Sequence, residues 1–193
     1  MRWVKYKQVI ENFFSLSILN ALNVLLPLVT LPYMLHVVGK ANYGAYSYVY
    51  AVVQYVILFS TYGFNFSATK QISQCRDDKE KVSKIYNAVT ASKTLIALSL
   101  SVLLLLCAKL VFKDGVGTLM FVYGLGMVIG DVLTPIWLFQ GMEKMKYMTI
   151  VNASSKILFT ILIFIVVRAS EDYQLLILLN SCGYLLAGVL SLI

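Results

Sequence analysis

An all-α bundle of six membrane-crossing helices is the fold class this sequence predicts, and three observations predict it. Hydrophobic residues make up 60% of the 193 and charged residues only 13%, with a mean hydropathy of +0.80. Soluble domains lie near about 45–50% and about 25%, so a water-soluble fold would leave large apolar patches uncovered. Six apolar runs reach the ~20 residues that a bilayer core requires: 13–37, 43–65, 87–111, 117–140, 148–168 and 173–193. The segments between them are short except the charged 66–86, and no Pro-, Gly- or Ser-rich linker divides the chain, so 1–193 reads as one transmembrane domain.

The opening "MRWVKYKQVIENFF" is basic and amphipathic and lacks a small-residue cleavage site. It reads as an interfacial segment leading into the first span, not as a secretory signal. On that span Asn20, Asn23, Pro27 and Thr30 recur at helical intervals, and on the second Ser47, Tyr50, Gln54 and Thr61 do the same. Two polar stripes cannot both face lipid. They serve either helix–helix hydrogen bonds or a water-filled cavity. Residues 66–86 form a charged, helix-forming connection expected to lie along the cytoplasmic membrane surface. Pro27, Pro32 and Pro135 each remove a helical donor, which membrane helices tolerate where neighbours or water satisfy the freed carbonyl.

The fourth span carries Asp131, about 14 residues and hence roughly 21 Å into the run. An unpaired charge at mid-bilayer costs at least roughly 2.5–3.5 kcal/mol, so the carboxylate needs a partner, a proton or water. Lys93 on the third span and Lys156 on the fifth are the candidate partners. Lys93 stands close enough to its span's end to snorkel. Lys156, flanked by Asn152, Ser155 and Thr160, is the partner expected for Asp131, either as a structural lock or as part of a cavity or ion-coupling site. Gly126 and Gly130 form a GxxxG, which lets a second helix approach closely. The sixth span runs apolar to Ile193 without a charged or aromatic anchor, as in a truncated chain.

Lys and Arg counts orient the bundle. Arg2, Lys5, Lys7, Lys70, Arg76, Lys79, Lys81, Lys84, Lys144 and Lys146 fall on one side, against Lys40, Lys109, Lys113 and Arg168 on the other. The richer side belongs in the cytoplasm, with both termini. The net charge of +7 is thus topological and calls for no nucleic-acid partner. Cys75, Cys107 and Cys182 show no paired spacing, and His36 is the single histidine, so neither a disulfide nor a metal or other cofactor is expected.

Two stretches, "NVLLPLVTLPYMLHVVGKANYGAYSYVYAVVQYVILFSTYGFNFSATKQIS" at 23–73 and "PIWLFQGMEKMKYMTIVNASSKILFTILIFIV" at 135–166, closely resemble the amino-terminal half of Wzx-type polysaccharide flippases. These belong to the multidrug/oligosaccharidyl-lipid/polysaccharide exporter superfamily. The most specific parts are Leu31-Pro32-Tyr33, Tyr62 to Asn65 with Ser67 to Thr69, and Trp137 to Tyr147. The resemblance implies a multi-pass protein of the bacterial inner membrane, one six-helix lobe of a two-lobe exporter. Its substrate would be an undecaprenyl-pyrophosphate-linked oligosaccharide for O-antigen or other surface polysaccharide. Its partners would be membrane lipids, a second lobe and polysaccharide-assembly proteins. Asn20, Asn23, Gln54, Asn152 and Lys156 are then the candidate cavity donors, and Tyr50 and Tyr184 could stack on sugars or simply pack.

Two other readings compete. A multidrug or cation antiporter of the same superfamily would favour an acid-rich cavity, against which stand two interior lysines and a single interior aspartate. A non-transporting membrane scaffold, or a nonfunctional remnant, would account for the abrupt end. An intramembrane enzyme finds least support, for no Ser/His, Asp/Asp or HExxH-type constellation is present at usable spacing.

Overall fold

The computed structural model describes residues 2–112 and 115–192, with backbone alone for residues 2–9 and 12. Lys113, counted above on the less basic side, lies outside these, as do the side chains of Arg2, Lys5 and Lys7. Among the described residues there is no strand, and six helical stretches are long and apolar enough to cross a membrane: Phe13–Val37, Gly39–Gln74, Lys79–Val111, Val116–Gly141, Met145–Val166 and Ser170–Leu190.

Helix α1 (Arg2–Val37) continues from the basic segment into the first span without a break, with Pro27 and Pro32 inside it. A tight turn at Val38–Gly39, where Gly39 adopts a φ of 81°, leads into α2 (Gly39–Thr61). Gly63, at a φ of 76°, then opens α3 (Phe64–Gln74). A side chain at either glycine would meet the left-handed backbone penalty. The segment 66–86 therefore consists of most of α3, a turn at Cys75–Asp78, and the first turns of α4 (Lys79–Val111). Asp78 caps α4 by accepting from the Lys81 amide at 3.1 Å. The Lys81 ammonium, 2.9 Å away, is the larger influence holding that carboxyl below its usual range.

Helix α5 (Val116–Leu133) stops at Thr134–Pro135, and the chain resumes as the short α6 (Ile136–Gly141). Helices α7 (Met145–Val166) and α8 (Tyr173–Leu190) complete the bundle, separated by a 3-10 turn at Ser170–Asp172. The α5–α8 seam is closely packed because small residues line it. A Cβ built on Gly130 would stand 2.3 Å from the Tyr184 carbonyl carbon, one on Gly126 would meet Ser181 at 2.9 Å, and one on Gly188 the Gly130 oxygen at 2.9 Å. Ser181 Oγ donates across the same seam to the Tyr123 carbonyl at 2.5 Å. The GxxxG is thus a helix-packing face, and its partner is α8. Around it Val53, Met127, Leu176 and Ile177 are fully buried.

A second, smaller cluster ties α3 to α6. Trp137 is buried against Ala68 and Ile72, with the Tyr86 ring 6.0 Å away. Thr69 Oγ1 donates to the Trp137 carbonyl at 3.2 Å, and Gly141 is packed so tightly on Ile72 that a Cβ would lie 2.7 Å from it. Arg76 closes the knot with a 2.5 Å ion pair to Glu143. Two of the three most specific parts of the resemblance are therefore one packing unit. The third has a comparable role at the opposite end, where Tyr33 Oη donates to the Val167 and Phe164 carbonyls at 2.7 and 3.2 Å and satisfies the last turn of α7.

Candidate functional site

Helices α1, α2, α7 and α8 surround a cavity of about 660 Å³, with Asp131 and Thr134 of the α5–α6 break also on its wall. Its α1 side is supplied by Asn23, Pro27 and Thr30, which fall on one face because their intervals are four and three. Its α7 side is supplied by Asn152, Ser155, Lys156 and Thr160. The two sides meet where the Lys156 ammonium donates to Asn23 Oδ1. Asn152 Nδ2 bonds back to the Met148 carbonyl at 3.0 Å, leaving its oxygen toward other partners. Ser155 is 1% exposed and its hydroxyl has no hydrogen-bond partner among the described residues. A buried, unsatisfied hydroxyl on a cavity wall is a group in want of a water or a ligand oxygen.

The opposite side is aromatic. Tyr43, Tyr46 and Tyr50 stand in a row on α2, their ring centres 5.7 and 5.8 Å apart, and Tyr184 faces them from α8. Asn180 Nδ2 donates to Tyr46 Oη at 3.2 Å and to the Leu176 carbonyl at 2.8 Å. The cavity thus has a cationic, amide-bearing side and a side of amphipathic rings. Each ring offers both an apolar face and a hydroxyl.

Of the residues expected from sequence, Asn23, Tyr50, Asn152, Lys156 and Asp131 lie on this cavity and Asn20, Gln54 and Lys93 do not. Asn20 is exposed. Three residues from Asn23, it is turned roughly 60° around the helix and falls off the lining face. Gln54 is taken up between helices, its Nε2 donating to Tyr184 Oη at 3.1 Å. Thr61 bonds to its own helix at the Ile57 carbonyl, 2.9 Å away.

The expected pairing of Asp131 with Lys156 is overturned. Lys93 sits 2.8 Å from Asp131 Oδ2 and is 4% exposed, so it does not snorkel. The reason is packing: α4 lies against α5 so that Lys93 meets the end of α5 at Asp131. Lys93 is 14 residues, roughly 21 Å, into the helix, at the depth of the α5–α6 break. Tyr43, Tyr46 and Asn180 belong to the site and were missed, and Ser155, named beside Lys156 in the sequence, lines it as well. The spacing of Tyr43, Tyr46 and Tyr50 does mark one helical face, whereas nothing local to Asn180 signals that it meets Tyr46.

The family described as polysaccharide biosynthesis protein matches residues 9–193. A relative from Escherichia coli (strain K12), assigned by name alone to O-antigen transport, is 33% identical over 182 residues, covering 94% of this chain and 44% of its own. A relative of the same name from Shigella dysenteriae is 28% identical over 183 residues, covering 94% and 46%. The chain therefore spans about half the length of the curated relatives it matches. No solved structure matches it significantly. The resemblance drawn from residues 23–73 and 135–166 is borne out by matches that reach across nearly the whole sequence, and the chain belongs to the polysaccharide biosynthesis protein family.

Proposed function

We propose that these six helices form one lobe of a bacterial inner-membrane exporter that moves undecaprenyl-pyrophosphate-linked oligosaccharide units for surface polysaccharide assembly. The observation that carries this reading is the two-sided cavity within a membrane-crossing bundle. A glycan joined to a pyrophosphate needs cationic and amide donors for its anionic end and ring faces with hydroxyls for its sugars, while its polyprenyl chain stays in lipid. Lys156, Asn23 and Asn152 supply the first set, and Tyr43, Tyr46, Tyr50 and Tyr184 the second. The names of the relatives support the same assignment. Because those relatives are about twice as long, a complete transport path in this reading includes a second lobe facing the cavity.

The test is binding. The purified chain in lipid nanodiscs should bind an undecaprenyl-pyrophosphate-linked oligosaccharide, and Lys156→Met should weaken binding roughly tenfold or more, the effect of losing a charged hydrogen bond worth about 1.5–3 kcal/mol. No binding by the parent chain, or unchanged affinity in the variant, would overturn the assignment.

The orientation belongs to the same proposal. Lys70, Arg76, Lys79, Lys81, Lys84, Lys144 and Lys146 gather at the end that carries α3 and α6, which by the basic-residue rule faces the cytoplasm together with both termini. In a cysteine-free background, Lys40→Cys should react with an impermeant thiol reagent added outside, and Lys79→Cys and Lys144→Cys should not. Reversed labelling would invert the topology.

A further inference from the structure

Pro135 has no amide hydrogen, so the carbonyl of Asp131, four residues earlier, loses its α-helical donor. The break is repaired by side chains. Thr134 Oγ1 donates to the Gly130 carbonyl at 2.7 Å, and Ser191 Oγ, arriving from the end of α8, donates to the Leu133 carbonyl at 3.0 Å. Among the described residues, the Asp131 carbonyl between them receives only a long 3.3 Å bond from the Thr134 amide and a 2.8 Å bond from Lys93 Nζ. Asp131 Oδ2 is equally close to that ammonium, yet it is buried without hydrogen-bond geometry. The directional bond of Lys93 therefore goes to the main chain, while Oδ2 is held beside the same ammonium by their opposite charges.

We propose that Lys93 is a positioning residue whose main task is to stand in for the donor that Pro135 lacks, fixing the α5–α6 break and with it the carboxylate of Asp131 on the cavity wall. Neutralising Asp131 is its secondary effect. An ammonium suits the place because the C-terminal end of α5 also presents the negative pole of the helix. The assignment separates two roles that a buried lysine–aspartate pair usually confounds. If charge pairing were the main role, removing both charges together would be nearly harmless, as it is for many buried ion pairs. If the lysine is the surrogate donor, removing both leaves a buried carbonyl short of its partner.

The variants Lys93→Met, Lys93→Met/Asp131→Asn and Lys93→Gln/Asp131→Asn are compared with the parent chain in nanodiscs by thermal unfolding and by amide hydrogen exchange across residues 130–141. The last two carry the same charge and differ in whether position 93 keeps a donor. The expected result is that Lys93→Met/Asp131→Asn unfolds several degrees below the parent and exchanges faster at the break. Lys93→Gln/Asp131→Asn should recover most of both losses. A Lys93→Met/Asp131→Asn variant as stable and as protected as the parent would overturn the proposal, as would a Gln variant no better than its Met counterpart. Should Lys93→Met alone not accumulate, the two neutral variants still decide the question.

Discussion

Gly130→Val should prevent this bundle from forming. A Cβ at position 130 would lie 2.3 Å from the Tyr184 carbonyl carbon, 2.4 Å from its oxygen and 2.7 Å from the Leu185 nitrogen, all main-chain atoms of α8 that cannot swing aside. Overpacking in a core costs about 1–3 kcal/mol when side chains can adjust. Here the helices themselves must part, so the cost should exceed the upper end of that range. The expected outcome is loss of monodisperse protein after extraction from membranes. Gly44→Ala is the control, because a Cβ there meets nothing within 4 Å and the exchange favours a helix by about 0.5–1 kcal/mol. Equal recovery of the two variants would mean that the α5–α8 seam is not closely packed in the membrane.

Trp137→Ala should release the α3–α6 knot. The indole is 2% exposed and fills the space between Ala68, Ile72 and Tyr86. Truncations of this size cost about 3–5 kcal/mol. The cluster is separate from the main core, so the damage should be local. The turn holding Arg76 and the start of α4 at Lys79 should become open to trypsin many times faster than in the parent, while the six spans stay folded. A cleavage rate unchanged by the substitution would show that Arg76–Glu143 and the Thr69 bond hold the unit without the ring.

The two regions differ in how far sequence could foresee them. The six spans were legible because twenty apolar residues in a row have few soluble alternatives, and the stripes of Asn23, Pro27 and Thr30 on α1 and of Ser47 and Tyr50 on α2 were legible because helical period places them together. Hydropathy could not show where helices begin within charged sequence. The start of α4 at Lys79 was therefore missed, and the partner of Asp131 was set by the packing of α4 on α5, across 38 residues, which no apolar run reveals. Pairings such as Asn180 with Tyr46, Gln54 with Tyr184 and Lys156 with Asn23 join residues more than 120 positions apart, and no local pattern encodes them.

That separation sets a schedule for synthesis. Asn23 finds Lys156 across 133 residues, and Tyr33 finds the Val167 carbonyl across 134. At ~5–20 residues per second, the first span waits roughly 7–27 s after leaving the ribosome before its polar face has a partner. For that interval a membrane-inserted helix holds an amide against lipid, or against whatever shields it at the insertion machinery. The side of α1 that completes the cavity last is thus the side most in need of a temporary neighbour while the chain is being made.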